Sequence, residues 1–394
     1  MGIYVDNSAT TPVHPAVREA MLPYLSELCG NPSSLHEQGH LANEAIACAR
    51  QQVAALLNCQ SDEIHFTASG TLANNIAILG RARFAEANNL GRHLITSQIE
   101  HSSILGPAKF LEGLGWQVTY LPVDKEGFVE AKAVLKAIKK DTSIISIAWA
   151  NNEIGTIQPV EEIARIALKA NIFFHTDAIQ VPGKLAIDLT NIPISSLSIS
   201  GHKFNAPKGI GALFVRAGCN IMPITFGGGQ EQGLHPGTEA VANIVGLGKA
   251  AQLAEDELAE CQSKLKEMQQ QLIEKLSSLT NIKLTGPADL NKRLPGHISL
   301  VVPGVNGETL ILRSDLHGIY LSSGSACHNN SIQPSHVLQA IGLPSDEALG
   351  AVRISFGKFN TIEEGEELAS TLENILRAEE PTFKAFLNNS ASKI

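Results

Sequence analysis

Short apolar runs alternate with helix-length amphipathic stretches through the first 250 residues, and this alternation constrains the fold most strongly. The predicted strands are residues 63–67, 93–97, 117–121, 144–148, 172–175, 196–200 and 211–215. Helical patterns lie between several of them, at residues 41–57, 129–139 and 160–170. Such alternation predicts an α/β fold with a mainly parallel seven-stranded sheet and helices on both faces. Functional side chains are then expected at the carboxyl ends of the strands.

The pattern changes near residue 250. Residues 250–279 form one charge-rich amphipathic stretch, which we interpret as a connecting helix. Strand-like runs follow at residues 282–285, 297–302, 319–322 and 351–356. Thr361-Ile362-Glu363-Glu364 is a capping-box pattern in front of a final helix. A second, smaller α+β domain is therefore expected in the last part of the chain.

Composition excludes several classes of protein. The 30 Lys and Arg against 39 Asp and Glu give a net charge of −9, which disfavours nucleic-acid binding. No apolar run reaches the roughly 18 residues of a membrane helix, and the first residues show no secretory signal, so we expect a cytoplasmic protein. The six cysteines contain no Cys-x-x-Cys pair, so neither a zinc site nor a disulfide framework is expected.

Ser200-Gly201-His202-Lys203 follows a predicted strand. Ser and His can donate hydrogen bonds to a phosphate, and a lysine in a dry site can lose its proton and form an imine with an aldehyde. Taken alone, the tetrapeptide is weak evidence, because a single lysine is most often an ordinary solvated one.

Asp177 stands at the end of another apolar strand, with Gln180 three residues later. A carboxylate there could keep the pyridinium nitrogen of pyridoxal phosphate protonated, or it could simply cap the next helix. Lys203 lies 26 residues downstream, about one strand–helix–strand step, which brings both side chains to one sheet edge.

Three further segments contain candidate residues. His101 follows a strand and could stack on an aromatic cofactor, move protons or bond within its loop. Ser69-Gly70-Thr71 precedes a helix and could cradle a phosphate or form a plain turn. Cys327 lies in a small, polar stretch, where its thiol could be a nucleophile or incidental. No Gly-rich nucleotide-binding pattern is present.

Together these segments resemble the pyridoxal-phosphate-dependent cysteine desulfurases of the NifS/IscS class, within the class V aminotransferase family. The resemblance covers nearly the whole chain and rests on residues 4–12, 30–34, 100–101, 151–155, 176–180, 200–203, 237–238 and 323–327. It implies a fold-type I transferase with a large domain over residues 15–255. Residues 1–14 and 256–394 would form the small domain that carries the Cys327 loop, which resembles the long-loop subgroup. In that subgroup the loop carries its cysteine from the active site to a sulfur acceptor.

The resemblance also implies the roles of individual residues. Lys203 would bind the cofactor as an imine, Asp177 would pair with its ring nitrogen, and Gln180 would bond its phenolic oxygen. His101 would stack on the ring and assist proton transfers. The cofactor phosphate would be bound by Gly70, Thr71, Ser200, His202 and, from a partner subunit, Thr238. The substrate carboxylate would be bound by Asn152 and Arg353, with Asn31 nearby. Asn152 would also lie beside the cofactor. A homodimer follows, because Thr238 would complete the site of the other subunit.

The activity implied is conversion of L-cysteine to L-alanine, with the sulfur captured as a persulfide on Cys327. An acceptor or scaffold protein would then take the sulfur for iron–sulfur cluster assembly or thiolation. Selenocysteine lyase, a lyase acting by β-elimination and a non-catalytic scaffold for sulfur-transfer partners are the alternatives. Two residues depart from the family pattern: Leu72 replaces a glutamate, and His235 replaces an arginine.

Overall fold

The structure is a computed structural model that describes residues 2–277, 282–323 and 334–391, with side chains through residue 378. Cys327 lies outside the described residues. The strands are β1 (Ile3–Tyr4), β2 (Ile64–Thr67), β3 (His93–Ser97), β4 (Gln117–Leu121), β5 (Thr142–Ser146), β6 (Phe173–Asp177), β7 (Ser196–Ser200), β8 (Gly211–Val215), β9 (Lys283–Leu284), β10 (His297–Val301), β11 (Ile319–Tyr320) and β12 (Ala351–Ser355).

The helices fill the intervals between these strands. They are α1 (Pro15–Met21), α2 (Glu37–Leu57), α3 (Gly70–Ala87), α4 (Ser102–Gly113), α5 (Ala131–Ala137), α6 (Val160–Lys169), α7 (Val241–Asp256), α8 (Leu258–Ser277), α9 (Gly307–Leu316), α10 (His336–Ala340), α11 (Ser345–Ala348) and α12 (Ile362–Ala391). Among the residues described, no helix is long and apolar enough to cross a membrane.

The main sheet has seven strands in the order β2-β8-β7-β6-β5-β3-β4. All are parallel except β8, which pairs antiparallel with β2 and β7. Six of the seven strands are buried along their whole length. The edge strand β4 is mostly half-buried, with one exposed end. Helices on both faces explain why these strands read as continuous apolar runs. The predicted mainly parallel seven-stranded α/β fold is confirmed.

A smaller sheet is built around β10, which pairs antiparallel with β12 and β9. The first strand, β1, is not part of the main sheet and pairs in parallel with β11 in a two-stranded sheet. This arrangement is compatible with the predicted small domain of residues 1–14 and 256–394, whose boundaries stay a prediction. At the start of α12 the capping box is present: Glu364 N–H donates to Thr361 Oγ1, and Thr361 N–H donates to the Glu364 carboxylate, both at 3.2 Å.

The single connecting helix predicted for residues 250–279 is two helices in the structure. Helix α7 ends at Asp256 and α8 begins at Leu258, with Glu257 between them at φ −107° and ψ 7°. The two helices serve different cores, because Leu247 of α7 packs under the main sheet while Leu272 of α8 packs against β10 and β12. Tertiary packing therefore divides a stretch that is continuous in its sequence pattern.

Arg293 joins the two cores. Its side chain is fully buried, and its guanidinium donates to the carbonyl oxygens of Ile154 at 3.0 Å, Thr285 at 2.6 Å and Pro287 at 2.6 and 2.9 Å. A β-bridge between Thr156 and Arg293 adds a backbone connection. The loop after β5 is thereby fixed to the strand region that precedes β10.

Candidate active site

A cavity of about 280 Å³ opens at the carboxyl edge of the main sheet. Its walls come from the segments that follow β2, β3, β5, β6 and β7. The sequence-predicted residues that line it are Gly70, Thr71, His101, Asn152, Asp177, Gln180, Ser200, His202 and Lys203. Parallel strands place their carboxyl ends at one edge, which explains why residues so distant in sequence meet here.

One end of the cavity is suited to an anion. The amino terminus of α3 begins at Gly70, and Ser69 caps it by accepting from Leu72 N–H at 3.1 Å. A Cβ on Gly70 would lie 2.5 Å from Ile179 Cδ1 and 2.9 Å from Ser200 Cβ, so only glycine fits. Helix amino termini attract phosphate through free N–H groups and the helix dipole. Leu72, which replaces the family's glutamate, turns away to pack beside Ala73 and Val215.

His202 lies beside this end. Its Nδ1 is 3.1 Å from Thr10 Oγ1, and burial together with the Lys203 and Lys208 charges lowers the pKa of His202 to about 4. The imidazole is therefore neutral near pH 7 and can offer a ring N–H to a phosphate oxygen without a fixed charge.

Asp177 is the last residue of β6 and is buried. Asn74 Nδ2 donates to its Oδ2 at 2.7 Å, and Ile179 N–H donates to its Oδ1 at 3.0 Å. Burial raises the pKa of Asp177, and these two donors oppose the rise only in part. A buried carboxylate whose described hydrogen-bond donors are neutral fits a cationic ring N–H, as a pyridinium nitrogen would supply.

Lys203 lies in the short turn after β7. Its Nζ donates to the carbonyl oxygens of Ser8 at 2.6 Å and Ala9 at 2.8 Å. Burial and the nearby Arg353 charge lower the pKa of Lys203 to about 8, against the opposing charges of Asp177 and Asp6. A neutral fraction is then available near pH 7 for attack on an aldehyde, so this residue fits the aldehyde of pyridoxal phosphate.

His101 is the residue before α4, and it lines the cavity. Its Nδ1 accepts from Ser103 N–H at 3.1 Å and lies 2.7 Å from Ser103 Oγ. Burial lowers the pKa of His101, with Lys203 and His336 acting in the same direction and Asp177 against it. A neutral, fixed imidazole therefore forms one wall of the cavity.

Gln180 is held in one orientation. Its Nε2 donates to Ser8 O at 2.9 Å, and its Oε1 accepts from Lys184 Nζ at 3.2 Å. Lys184 is a buried lysine that the sequence analysis missed, and burial lowers its pKa to about 8. The cue was the lysine four residues after Gln180, although nothing in the local sequence indicates its burial.

Arg353 does not line the cavity but contacts its rim. Its Nη1 donates to Asn152 O at 3.2 Å, and its Nη2 bonds to Asp6 Oδ1 at 2.8 Å. The buried Nε has no hydrogen-bond partner among the described residues. The two residues predicted to hold a substrate carboxylate are thus in direct contact through the Asn152 carbonyl oxygen. Asn31 lies elsewhere, exposed, with its Oδ1 accepting from Ser33 N–H at 2.9 Å.

Thr238 lies outside this cavity, on an exposed loop of the same chain. The loop is anchored by Glu231, which bonds Arg50 through two contacts of 2.7 Å and accepts from Phe66 N–H at 2.8 Å. Glu231 adopts a left-handed conformation with φ 48°, as does the next residue with φ 55°. His235, in place of the family's arginine, donates from Nδ1 to Phe66 O at 3.1 Å, so it braces its own loop.

The described residues on either side of Cys327 contact residues that adjoin the cavity lining. Ser322 exchanges backbone hydrogen bonds with Arg353, at 3.2 and 2.7 Å. Ser335 Oγ donates to the Glu153 carboxylate, and His336 Nε2 donates to Glu100 O at 3.1 Å. The chain therefore leaves and re-enters the described structure next to the candidate site, while Cys327 itself lies outside the described residues.

Comparison with known proteins places these features in a family context. The family model for aminotransferase class-V matches residues 3–368. The chain is 44% identical over 396 residues to the cysteine desulfurase IscS of Clostridium botulinum, covering 99% of both chains. It is similar to a solved NifS-like protein, with a TM-score of 0.89 and 38% identity over 96% of this chain and 100% of that one. It is also similar to the solved structure of SspA in complex with cysteine, with a TM-score of 0.80 and 37% identity over 91% of this chain and 100% of the other.

Proposed function

Because the chain belongs to the cysteine desulfurases of the class V aminotransferase family, we propose that it removes sulfur from L-cysteine and releases L-alanine. The observation that carries this proposal is the convergence of Lys203, Asp177 and His101 on one cavity. Enzymes of this family depend on pyridoxal phosphate, and the residues of the cavity fit that cofactor. The alternatives of selenocysteine lyase and of a non-catalytic scaffold are not favoured by the relatives.

The cavity residues divide into three tasks under this proposal. Lys203 attaches the cofactor, Asp177 pairs with its ring nitrogen, and Gln180 donates to its phenolic oxygen. Further groups hold its phosphate (Gly70, Thr71, Ser200 and His202) or the substrate carboxylate (Asn152 and Arg353). Asn31, which the resemblance places near that carboxylate, lies elsewhere in this chain. When bound, pyridoxal phosphate supplies an electron sink for charge that develops at the substrate α-carbon.

Cys327 performs the sulfur transfer. Its thiolate attacks the sulfur of the bound cysteine, so that an S–S bond forms as the substrate C–S bond breaks. The electron pair of the broken bond remains with the amino-acid carbon, which takes up a proton and leaves as alanine. The persulfide on Cys327 avoids release of free sulfide and divides one difficult step into two.

Partners follow from the same reasoning. The sulfur would pass to an acceptor or scaffold protein for iron–sulfur cluster assembly or thiolation. The exposed position of Thr238, away from the cavity of its own chain, supports a homodimer in which this residue completes the partner's phosphate site. A cytoplasmic location and the absence of nucleic-acid or membrane partners stay predictions of the sequence.

The decisive experiment measures alanine and sulfide formed from L-cysteine with a thiol reductant. Wild type is compared with Cys327→Ala, and Cys48→Ala is the matched control because Cys48 is an exposed cysteine on α2. We expect turnover by wild type and by the control and loss of turnover in Cys327→Ala. Equal alanine formation by all three would contradict the persulfide step on Cys327, and sulfide formed with pyruvate in place of alanine would favour β-elimination. A cofactor-loaded wild type that yields no alanine would contradict the desulfurase proposal itself.

A further inference from the structure

A chain of buried side chains links Asp177 to His101. We propose that Ser103 and Asn74 are positioning residues that hold His101 as the neutral tautomer with its proton on Nε2, facing the cavity. The proposal deepens the function given above and rests on it for the catalytic use of His101. The hydrogen-bond geometry itself does not depend on which substrate is used.

Counting hydrogens fixes the direction of each bond. Asn74 is fully buried, and its amide nitrogen donates to Asp177 Oδ2 at 2.7 Å and to Ser103 Oγ at 2.8 Å. Both amide hydrogens are thereby used. Ser103 Oγ, having accepted one of them, directs its own hydrogen to His101 Nδ1 at 2.7 Å. The bonds therefore run in one direction, from Asn74 to the ring.

The backbone provides a second constraint on the ring. Ser103 N–H also points at His101 Nδ1, at 3.1 Å, because His101 caps α4. Two donors at one ring nitrogen require a lone pair there, so the ring hydrogen must sit on Nε2. A proton on Nδ1 would face the Ser103 N–H and leave that buried donor without an acceptor. The contacts thus set both the tautomer and the ring plane.

The orientation of Asn74 is set by Asp177. If the amide were reversed, its oxygen would face the carboxylate oxygen of Asp177 and the hydroxyl oxygen of Ser103, which has to donate to His101. The observed arrangement satisfies both contacts only when Asp177 Oδ2 accepts, as it does in the ionised carboxylate. An accepting Asp177 Oδ2 and the Nε2–H tautomer of His101 are therefore parts of one arrangement.

The charges that face His101 come from three other segments. Asp177 lies at the end of β6, Lys203 follows β7, and His336 begins α10. Asp177 favours a charged imidazole, whereas Lys203, His336 and burial disfavour it. Ser103 adds two directional contacts to these through-space effects, from its hydroxyl and its N–H, and these contacts distinguish Nδ1 from Nε2.

The test follows the imidazole directly in the cofactor-loaded enzyme, by ¹⁵N-histidine NMR as a function of pH. We expect a neutral ring with hydrogen on Nε2 in wild type. Ser103→Ala should raise the titration midpoint of His101 by about half to one pH unit, because the neutral form loses a donor. Ser103→Thr keeps the hydroxyl and should restore the wild-type midpoint. Ser102→Ala, one residue away and exposed, is the matched control and should change nothing.

Two outcomes would overturn the proposal: a ring hydrogen on Nδ1 in wild type, or a His101 midpoint that is the same in Ser103→Ala and Ser102→Ala. A general folding defect would not be rescued by Ser103→Thr, so the rescue separates positioning from stability. Failure of the desulfurase assay with the expected NMR result would refute the function and leave the tautomer assignment standing. A working desulfurase assay with an NMR result other than the expected one would refute only the role of Ser103 and Asn74.

Discussion

Glu100 provides a quantitative test of the electrostatics beneath the site. Its carboxylate is almost completely buried, accepts from Ser97 Oγ at 2.6 Å and is 3.1 to 3.2 Å from Ala148 N. Burial raises the pKa of Glu100 from 4.5 to about 8, although these two donors oppose the rise. The replacement Glu100→Gln keeps the size and removes the titration.

The sign follows from proton binding. Because the folded pKa lies above the unfolded value of 4.5, the folded protein binds more protons between pH 4.5 and pH 8. Stability therefore falls as the pH rises through this window. One pKa unit corresponds to about 1.4 kcal/mol, so ionisation of the unfolded chain costs the folded state on the order of 3 kcal/mol by pH 7.

The assay is urea unfolding of wild type and Glu100→Gln at a series of pH values under otherwise identical conditions. The stability of the variant relative to wild type should increase by about 3 kcal/mol from pH 4.5 to pH 7 and level off above pH 8. Glu44→Gln, at an exposed position on α2, is the control and should show no such trend. A difference between Glu100→Gln and wild type that is constant with pH would refute the reasoning.

Two further predictions concern the arginines. In Asp6→Asn, Arg353 loses the ion pair that competes with a substrate carboxylate, so KM for L-cysteine should fall by roughly two- to tenfold with a smaller change in kcat. Steady-state kinetics decide this, and an unchanged or higher KM would mean that Asp6 aims the guanidinium instead. Arg293→Met should lower the free energy of unfolding by about 3 kcal/mol or more, because buried carbonyl groups lose their donors. A loss in urea no larger than that of the exposed neighbour Lys292→Met would contradict this.

The sequence could predict which residues line the cavity because the fold itself places them. Once the parallel sheet is recognised, Asp177 at the end of one strand and Lys203 after the next must lie at the same edge. Strand boundaries at β3, β4, β7 and β8 follow directly from their apolar runs. The chemical roles of Asp177 and Lys203 could be predicted from the type of residue that stands at the end of each strand.

The supporting residues were not visible in this way. Asn74 reads as an ordinary helix residue, and only folding brings it 2.7 Å from Asp177. The division at Glu257 depends on which core each helix covers, which no local pattern shows. Thr238 by resemblance belongs to a neighbouring subunit, so a single chain does not bring it to the cavity. Local sequence thus predicts the groups that react, and tertiary contacts determine the groups that orient them.

The buried guanidinium of Arg293 has a consequence for the geometry of the cavity rim. It fixes the loop that contains Asn152 to the strand region beside β10, and Arg353 on β12 bonds to that same loop. The predicted carboxylate site, Asn152 and Arg353, is therefore braced by a side chain that does not line the cavity. Arg293 thus contributes to preorganisation of the site, so a change there would disturb ligand binding as well as stability.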